Sequence, residues 1–328
     1  MKRQINLADV DNSLNSLTTT YAGQFAGQYI SAALLSGATI ANGGITVKPN
    51  IKYKEVIKKG AWASVVKDAT CDFDLTADAL TLTERIIQPE EFQVNLQFCK
   101  KDFRGDWDAI QMGISAYDNL APSFSDYILA QVAAQVAQKT EQTIWEGANG
   151  TAGEFDGFVT LMKADGDISD ITGTTVNSTN VIGEMGKVVD AIPSAVYGKE
   201  DLHLYVSSNV ARAYVRALGG FAAIGNTNFH NSNNGVDNKG TTWWSMGQDL
   251  AFDGVKVFVC PGMGDNTMVA AEKSNLYFGT GLLSDSQEVR MIDTSATLGD
   301  QNVRVIMRYT AGVQYGIGSD IVLYEPGV

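Results

Sequence analysis

The longest apolar pattern in the chain predicts one long helix over Pro122–Gly147. Apolar residues recur there every three or four positions, which is the period of one face of an α-helix. Pro122 suits a first helical turn, and Gly147 suits the residue that follows a helix. Such a helix extends roughly 36 Å at 1.5 Å per residue, so the pattern predicts a rod against which other elements pack. The apolar stripe consists of Phe124, Ile128, Leu129, Val132, Ala133, Val136, Ala137, Thr140 and Ile144.

Two other segments alternate apolar and polar residues with the period of a β-strand. Every odd position of Val303–Ile317 is apolar, and this single register would extend roughly 50 Å if unbroken, far beyond an ordinary strand. Gly312 and Gly316 are candidates for bends or bulges within it. Phe92–Phe98 alternates in the same way and predicts a half-buried strand. A long helix beside an equally long strand predicts an elongated slab, a shape that suits a tile better than an enzyme domain.

Residues 151–264 have the mixed pattern of a compact α/β region. Helical spacing recurs over Val181–Ile192 and Asn209–Leu218, and strand patterns occur at Leu202–Val206 and Val255–Cys260. The region also contains a long polar loop with six asparagines, residues 225–242. A loop of this length inside a compact domain is usually functional or disordered.

Charged residues divide residues 50–90 into a basic limb and an acidic limb. The alternation of Ile51–Lys54 and of Leu80–Ile86 predicts one strand on each limb, with turns near Gly60 and over Ala77–Ala79. Two solvated strand faces would account for the charges; the alternative is a basic limb that lies on an acidic surface of another subunit. The candidate inter-subunit residues on these limbs are Lys52, Lys54, Lys58, Lys59, Asp72, Asp74 and Asp78.

Residues 1–49 have the pattern of an arm. Leu14, Leu17, Tyr21, Phe25 and Tyr29 recur at helical spacing, but three glycines weaken the helix as an autonomous element. We therefore expect another surface to order this segment.

Composition and charge restrict the class of protein. The chain has 328 residues, is 45% hydrophobic and has a formal net charge of −13, which is globular composition and argues against a dedicated nucleic-acid binder. Its three cysteines are too far apart for a disulfide framework or a zinc motif. We expect no signal peptide, because polar residues follow Lys2 and Arg3, and no membrane span, because the most apolar early run is too short.

The pattern contains no constellation typical of catalysis or of cofactor binding. The only two histidines, His203 and His230, are isolated in the sequence, and Cys99 has no assignable base beside it. The paired glycines lack the third glycine of a dinucleotide fingerprint, and no phosphate-binding loop occurs. We therefore expect neither an enzyme nor a bound cofactor or metal.

The order of these parts resembles that of the Hong Kong 97-type major capsid proteins of tailed bacteriophages. The resemblance covers nearly the whole chain, including Thr81–Asp102 and Arg308–Tyr324. It implies an α+β capsid fold with an N-terminal arm, an extended β-hairpin loop, a peripheral domain with a long spine helix, and an axial α/β domain. The implied boundaries are 1–49 for the arm, 50–90 for the loop, 91–150 and 265–318 for the peripheral domain with its spine helix at 122–147, and 151–264 and 319–328 for the axial domain.

The resemblance also implies a function and partners. It predicts a subunit that self-assembles as hexamers and pentamers into an icosahedral head around double-stranded DNA, which it contacts without sequence specificity. A portal protein, and a separate scaffold or decoration proteins, would be further partners, and assembly would occur in the bacterial host cytoplasm without a membrane. The asparagine-rich loop would lie near the capsomer centre, so Asn231, Asn233 and Asn234 are further candidate inter-subunit residues.

The sequence departs from the pattern of this family in two respects, and it leaves two alternative functions open. We expect no cleaved scaffolding segment within this chain, and the sequence does not place the partners that a lysine–asparagine cross-link would need. An encapsulin nanocompartment is similar in fold but encloses cargo enzymes. A soluble α+β enzyme or carbohydrate-binding protein is the more distant alternative.

Overall fold

A computed structural model describes residues 20–21, 38–62, 66, 68, 71, 80–99, 122–218, 250–281, 289–294 and 299–327. Several predictions fall on residues outside these ranges: most of the N-terminal arm, the asparagine-rich loop, and the candidate residues Asp72, Asp74, Asp78, Asn231, Asn233 and Asn234.

The described residues form strands and helices of very unequal length. The helices are α1 (Ala38–Ala41), α2 (Pro122–Glu146), α3 (Phe158–Lys163), α4 (Val181–Asp190) and α5 (Ser208–Ala217). The strands are β1 (Thr20–Tyr21), β2 (Thr46–Lys48), β3 (Glu55–Trp62), β4 (Leu80–Ile87), β5 (Glu90–Cys99), β6 (Ser169–Gly173), β7 (Leu202–Ser207), β8 (Leu250–Phe252), β9 (Val255–Cys260), β10 (Met268–Glu272), β11 (Leu276–Thr280), β12 (Val289–Asp293), β13 (Asn302–Tyr315) and β14 (Val322–Pro326).

The long helix α2 has 25 residues and confirms the predicted rod. Leu129, Val132 and Val136 from its stripe are buried against one face of β13, as the helical period predicted. The helix ends one residue before Gly147, whose amide donates to the Thr143 carbonyl. Gly147 does not have the positive φ of a left-handed cap; instead, a Cβ there would lie 2.3 Å from the Phe155 carbonyl oxygen. Glycine is needed here for close approach of the chain.

The strand β13 confirms the predicted long register and organises the first sheet. Its pairing order is β1-β12-β13-β11-β2, and β5 pairs with β13 over ten consecutive positions from Asn302 to Ala311. The register passes through Gly312, opposite Gly279, without a bulge, and the strand ends before Gly316. A Cβ on Gly312 would lie 3.0 Å from the Gln88 carbonyl oxygen. The glycine therefore serves the close approach of the β4–β5 connection and is not a bend.

The second sheet has the order β6-β14-β10-β7-β9-β8 and mixes parallel and antiparallel pairs. The helices α4 and α5 cover one of its faces, where Val181, Met185 and Val210 are fully buried against strand residues such as Leu204 and Tyr324. The opposite face meets the first sheet. This arrangement confirms the predicted helices and strands of the α/β region.

The largest core joins the two sheets. The end of α2 contributes Ile144 and Trp145, α3 contributes Phe158, and the two sheets contribute Tyr205 and Tyr315 among others. Trp145 has no exposed surface and its ring lies 5.4 Å from the ring of Tyr205 and 5.5 Å from that of Phe158. The end of α2, the helix α3 and both sheets therefore share one hydrophobic core.

A buried carboxylate on α2 holds the short helix α1. Glu141 is only 6% exposed and accepts hydrogen bonds from the Thr39 backbone N–H at 3.1 Å and from the Thr39 hydroxyl. The Trp145 indole N–H donates to the same hydroxyl at 2.9 Å. The Gly262 N–H is a further donor to Glu141, and no ion pair is formed by Glu141 within the described ranges. The fold thus places an acidic side chain inside the apolar stripe of its longest helix.

One boundary differs from the predicted division of the chain. β10 lies between β14 and β7 in the second sheet, so residues 268–272 are part of the α/β region, whereas the prediction put them in the peripheral region from residue 265 onwards. The chain enters the first sheet only with β11.

Candidate assembly surface

The basic and acidic limbs meet in one antiparallel hairpin. β3 and β4 pair from Glu55 opposite Ile87 to Trp62 opposite Leu80, and neither strand pairs with another strand among the described residues. Two local predictions were wrong. Residues 51–54 precede β3, which begins at Glu55, and the backbone N–H of Ile51 donates to the carbonyl of Thr280, the last residue of β11. Gly60 lies inside β3 opposite Leu82 and does not form a turn.

The two faces of this hairpin have different environments. One face buries Ile57 and Ile87 against Ile51, with Tyr277 packed beside them, on the face of the first sheet opposite α2. A Cβ on Gly279 would lie 2.7 Å from Ile87 Cδ1, so glycine makes room for this root of the hairpin.

The other face exposes apolar side chains to solvent. Val56 lies opposite Ile86 and they are 42% and 44% exposed, while Leu82 further along is 69% exposed. We call these three residues the apolar strip. Exposed apolar groups aligned on one strand face are typical of a surface that another protein covers.

The four predicted lysines lie at different places around the hairpin. Lys58 is exposed and lies opposite Glu84 in the middle of the apolar strip, without an ion pair to any described residue. Lys52 and Lys54 are exposed in the segment before β3, where the Lys54 ammonium lies 5.3 Å from the Tyr53 ring centre. Lys59 faces the body and its ammonium lies 3.4 Å from the Ser319 hydroxyl.

Three of the four lysine charges are therefore available to a partner of opposite charge, because Lys52, Lys54 and Lys58 form no ion pair within the described residues. The fourth, Lys59, acts within its own subunit. Whether the three exposed lysines contact another subunit remains a prediction.

A polar cluster at the root ties the hairpin to the body. The Arg85 guanidinium forms an ion pair with Asp165, two residues after α3, and lies 4.5 Å from the ring centre of Tyr315 at the end of β13. Asp165 also accepts a hydrogen bond from the Tyr315 hydroxyl at 2.8 Å and one from the Asp167 backbone N–H at 3.1 Å. Three separate elements thus converge on one carboxylate.

The electrostatics of the cluster favour its charged form. Burial alone would raise the pKa of Asp165, but the hydrogen bonds from Asp167, Tyr315 and Arg85 together hold that pKa below its ordinary value. Burial and the neighbouring Asp165 carboxylate raise the pKa of the Tyr315 hydroxyl, so it remains a donor at physiological pH. The cluster is therefore a hydrogen-bonded ion pair at neutral pH.

The remaining polar groups do not form a reactive site in the described part of the chain. The Nδ1 atom of His203 lies 2.8 Å from the Asp201 carbonyl oxygen, and its ring packs beside Tyr205 and Phe258. An open cavity of about 740 Å³ is lined by His203, Lys256 and other residues, but no group of His, Cys, Asp or Glu in the described ranges is arranged to hold a metal ion. No described helix has both the length and the apolar character required to span a bilayer.

Sequence reasoning missed the residues that hold the hairpin. Arg85 and Asp165 are 80 positions apart, and no local pattern connects them. The one available sign was the position of Arg85 within the alternation of β4, which put its side chain on the same face as Ile87.

Structural comparisons extend along almost the whole chain. The capsid of the native GTA particle matches with a TM-score of 0.54 and 12% identity, covering 100% of this chain and 96% of that one. A structure from Mycobacterium phage Che8 matches with a TM-score of 0.51 and 11% identity over 96% and 95% of the two chains. The virus-like particle from Pyrococcus furiosus matches with a TM-score of 0.52 and 9% identity over 91% and 98%.

The chain has the Hong Kong 97-type capsid fold. The predicted fold class is thereby confirmed. No protein-family model and no curated protein matches the sequence. The sequence identities to the three capsid structures are also low, between 9% and 12%.

Proposed function

We propose that this protein is a major capsid protein that self-assembles as hexamers and pentamers into an icosahedral phage head enclosing double-stranded DNA. A single observation carries the proposal: the fold matches capsid structures from end to end, with 100% of this chain and 96% of the GTA capsid chain covered. Many copies of one subunit repeat the same interface in a closed shell, so modest contacts accumulate.

The hairpin supports this function through its surface. A protein that works alone gains nothing from a strip of exposed Val56, Leu82 and Ile86 on a two-stranded extension, since isolated hairpins are marginal in water. A neighbouring subunit that covers the strip would bury it and fix the hairpin. The exposed ammonium groups of Lys52, Lys54 and Lys58 would then pair with carboxylates on that neighbour, which the net charge of −13 makes abundant.

The direct test is size-exclusion chromatography followed by electron microscopy of the purified protein. We expect closed shells, or hexamers and pentamers, and we expect nuclease-resistant DNA in particles from infected cells. Shells that contain enzyme cargo and no DNA would favour the encapsulin alternative. A monomer that never assembles, with or without co-expressed neighbouring structural genes, would contradict the proposal.

The lysine hypothesis gives a more specific test. The fourfold variant Lys52→Glu, Lys54→Glu, Lys58→Glu and Lys59→Glu is expected to fold and to lose shell formation, because the three exposed charges that would attract an acidic neighbour, those of Lys52, Lys54 and Lys58, become repulsive. Circular dichroism and electron microscopy measure the two properties separately. The matched control carries Arg at the same four positions and should assemble. Normal particles from the glutamate variant would refute the role of these lysines while leaving the capsid function intact.

A further inference from the structure

The direction of the hairpin is not set by backbone hydrogen bonds of a larger sheet. β3 and β4 form a two-stranded sheet of their own in the described part of the chain. One side-chain amide, that of Gln314, donates to the Ile86 carbonyl at 3.2 Å and reaches the hairpin from β13. Side-chain contacts at the root must therefore determine the angle at which the hairpin leaves the body.

The apolar contacts at the root do not specify that angle tightly. Ile57 and Ile87 pack against Ile51 and Tyr277, and such burial is proportional to area and has no preferred direction. A rotation of the hairpin about this small cluster would keep much of the burial. A directional contact is needed to select one orientation.

The cluster of Arg85, Asp165 and Tyr315 supplies that direction. A guanidinium group is planar and bonds a carboxylate only in a limited geometry, and here the Arg85 guanidinium carbon also lies 4.5 Å from the centre of the Tyr315 ring. The side chains of Arg85 and Asp165 are 28% and 16% exposed, so water reaches only part of the ion pair. Gly318 leaves the space, because a Cβ there would lie 2.9 Å from Asp165 Oδ2.

We propose that Arg85, Asp165 and Tyr315 form a clamp that sets the direction of the β3–β4 hairpin and thereby the angle between neighbouring subunits. The inference deepens the proposed shell function and rests on it for its second part. Arg85 is a positioning residue: it contacts no partner itself but aims the apolar strip. Since the clamp lies inside one subunit, its first effect is measurable before any assembly.

Spin labels measure the direction of the hairpin directly. The exposed native Cys71 reports the hairpin connection, and Asp190→Cys at the exposed end of α4 reports the body, in a Cys99→Ser background with Cys260 buried. Electron–electron double resonance on the unassembled subunit then gives the distribution of the label distance. We expect one narrow distribution for the intact clamp and a broader, shifted one for Arg85→Ala.

Two further variants separate positioning from simple loss of a side chain. Arg85→Lys keeps the charge but loses the planar guanidinium group and its contact with Tyr315. Its label-distance distribution should therefore be intermediate in width between those of the unsubstituted clamp and of Arg85→Ala. Lys58→Ala removes a hairpin cation that has no partner in the described residues and should leave the distribution unchanged. All variants should show the same circular dichroism, because neither Arg85 nor Lys58 belongs to a buried core.

Electron micrographs of the assembled particles test the second part. Arg85→Ala is expected to give irregular or open shells, whereas Arg212→Ala, which removes an exposed cation of α5, should keep closed shells of one size. An unchanged label distance in Arg85→Ala would overturn the clamp, and a broadened distance with uniform closed shells would overturn its control of subunit angle. Failure of the unsubstituted protein to assemble would instead count against the proposed function, and the label distances would still decide whether the clamp exists.

Discussion

Two carboxylates hold two outlying parts of the chain, and they do so by opposite electrostatic means. Asp165 fixes the root of the hairpin with a cation, Arg85, and with the Tyr315 hydroxyl. Glu141 fixes α1 with neutral donors, two of them from Thr39, and forms no ion pair among the described residues. Both side chains lie at junctions between elements far apart in sequence. They differ in burial and in their donors, and these differences determine how the charge of each carboxylate depends on pH.

The pKa values of the two carboxyl groups are shifted in opposite directions. Burial raises the pKa of Glu141, and the hydrogen bonds from Thr39 and Gly262 only partly oppose that rise. At Asp165 the opposing hydrogen bonds, including the one from Arg85, outweigh burial, and the pKa is lowered.

Burial also raises the pKa of Cys260, with the nearby Glu141 charge as the second cause, so this thiol is inert at neutral pH.

Opposite shifts mean opposite contributions to stability as pH changes. Because the folded pKa of Glu141 is raised, the unfolded chain loses its proton first as pH rises, and stability falls between the ordinary value of 4.5 and the folded pKa. Because the folded pKa of Asp165 is lowered, its contribution is complete above the ordinary value of 3.8 and is lost as pH falls through the folded pKa. The contribution of Glu141, which holds α1, is thus smaller at neutral pH than in acid. The contribution of Asp165, which holds the root of the hairpin, is lost in strong acid.

The largest effect is expected when the neutral donors are removed. Thr39→Val keeps the shape of the side chain but deprives both Glu141 and the Trp145 indole of their hydroxyl partner, so we expect a loss of about 2–4 kcal/mol in the free energy of unfolding. Urea denaturation at pH 7 measures it. Thr39→Ser retains the hydroxyl and is the matched control. A loss below about 1 kcal/mol would mean that water replaces the hydroxyl at this site.

A second, smaller effect is expected on the pH dependence. Glu141→Gln removes the ionisation, so the decline in stability as pH rises above 4.5 should become shallower than in the unsubstituted protein. Melting temperatures from pH 4 to pH 8 measure the slope. Glu146→Gln, on the same helix but exposed, should retain the original slope. Equal slopes in all three proteins would show that Glu141 does not control this pH dependence.

The periodicity of apolar residues correctly predicted the elements that bury one face along most of their length. Val132 and Val136 of α2 are buried against β13, and Val303 and Val305 of β13 receive them, so both patterns reflect a single packing surface. Local composition was less reliable. Gly60 was predicted as a turn because glycine favours turns, but the cross-strand pairing with Leu82 determines its conformation.

The two anchoring carboxylates differ in how visible they are in the sequence. Glu141 falls within the apolar stripe of α2, between Ala137 and Ile144, and a charge at a core position was a detectable anomaly. Asp165 lies in a short connection after α3 and has no such context. Its partners come from β4 and β13, and only the folded chain brings them together.

The smallest effect is expected at the hairpin root, because its ion pair is partly exposed. Asp165→Asn removes the charge but keeps an acceptor for Tyr315, so we expect a loss of about 1 kcal/mol at pH 7. The difference from the unsubstituted protein should shrink as pH falls through the folded pKa of Asp165, where the carboxylate is itself neutralised. Urea denaturation at pH 7 and in acid measures both values. Asp167→Asn, an exposed neighbour, is the control and should change stability by less than about 0.5 kcal/mol. If the difference in the free energy of unfolding is the same in acid as at pH 7, the Asn disturbs packing. The charge of Asp165 would then not account for the opposite pH dependence expected for Asp165 and Glu141.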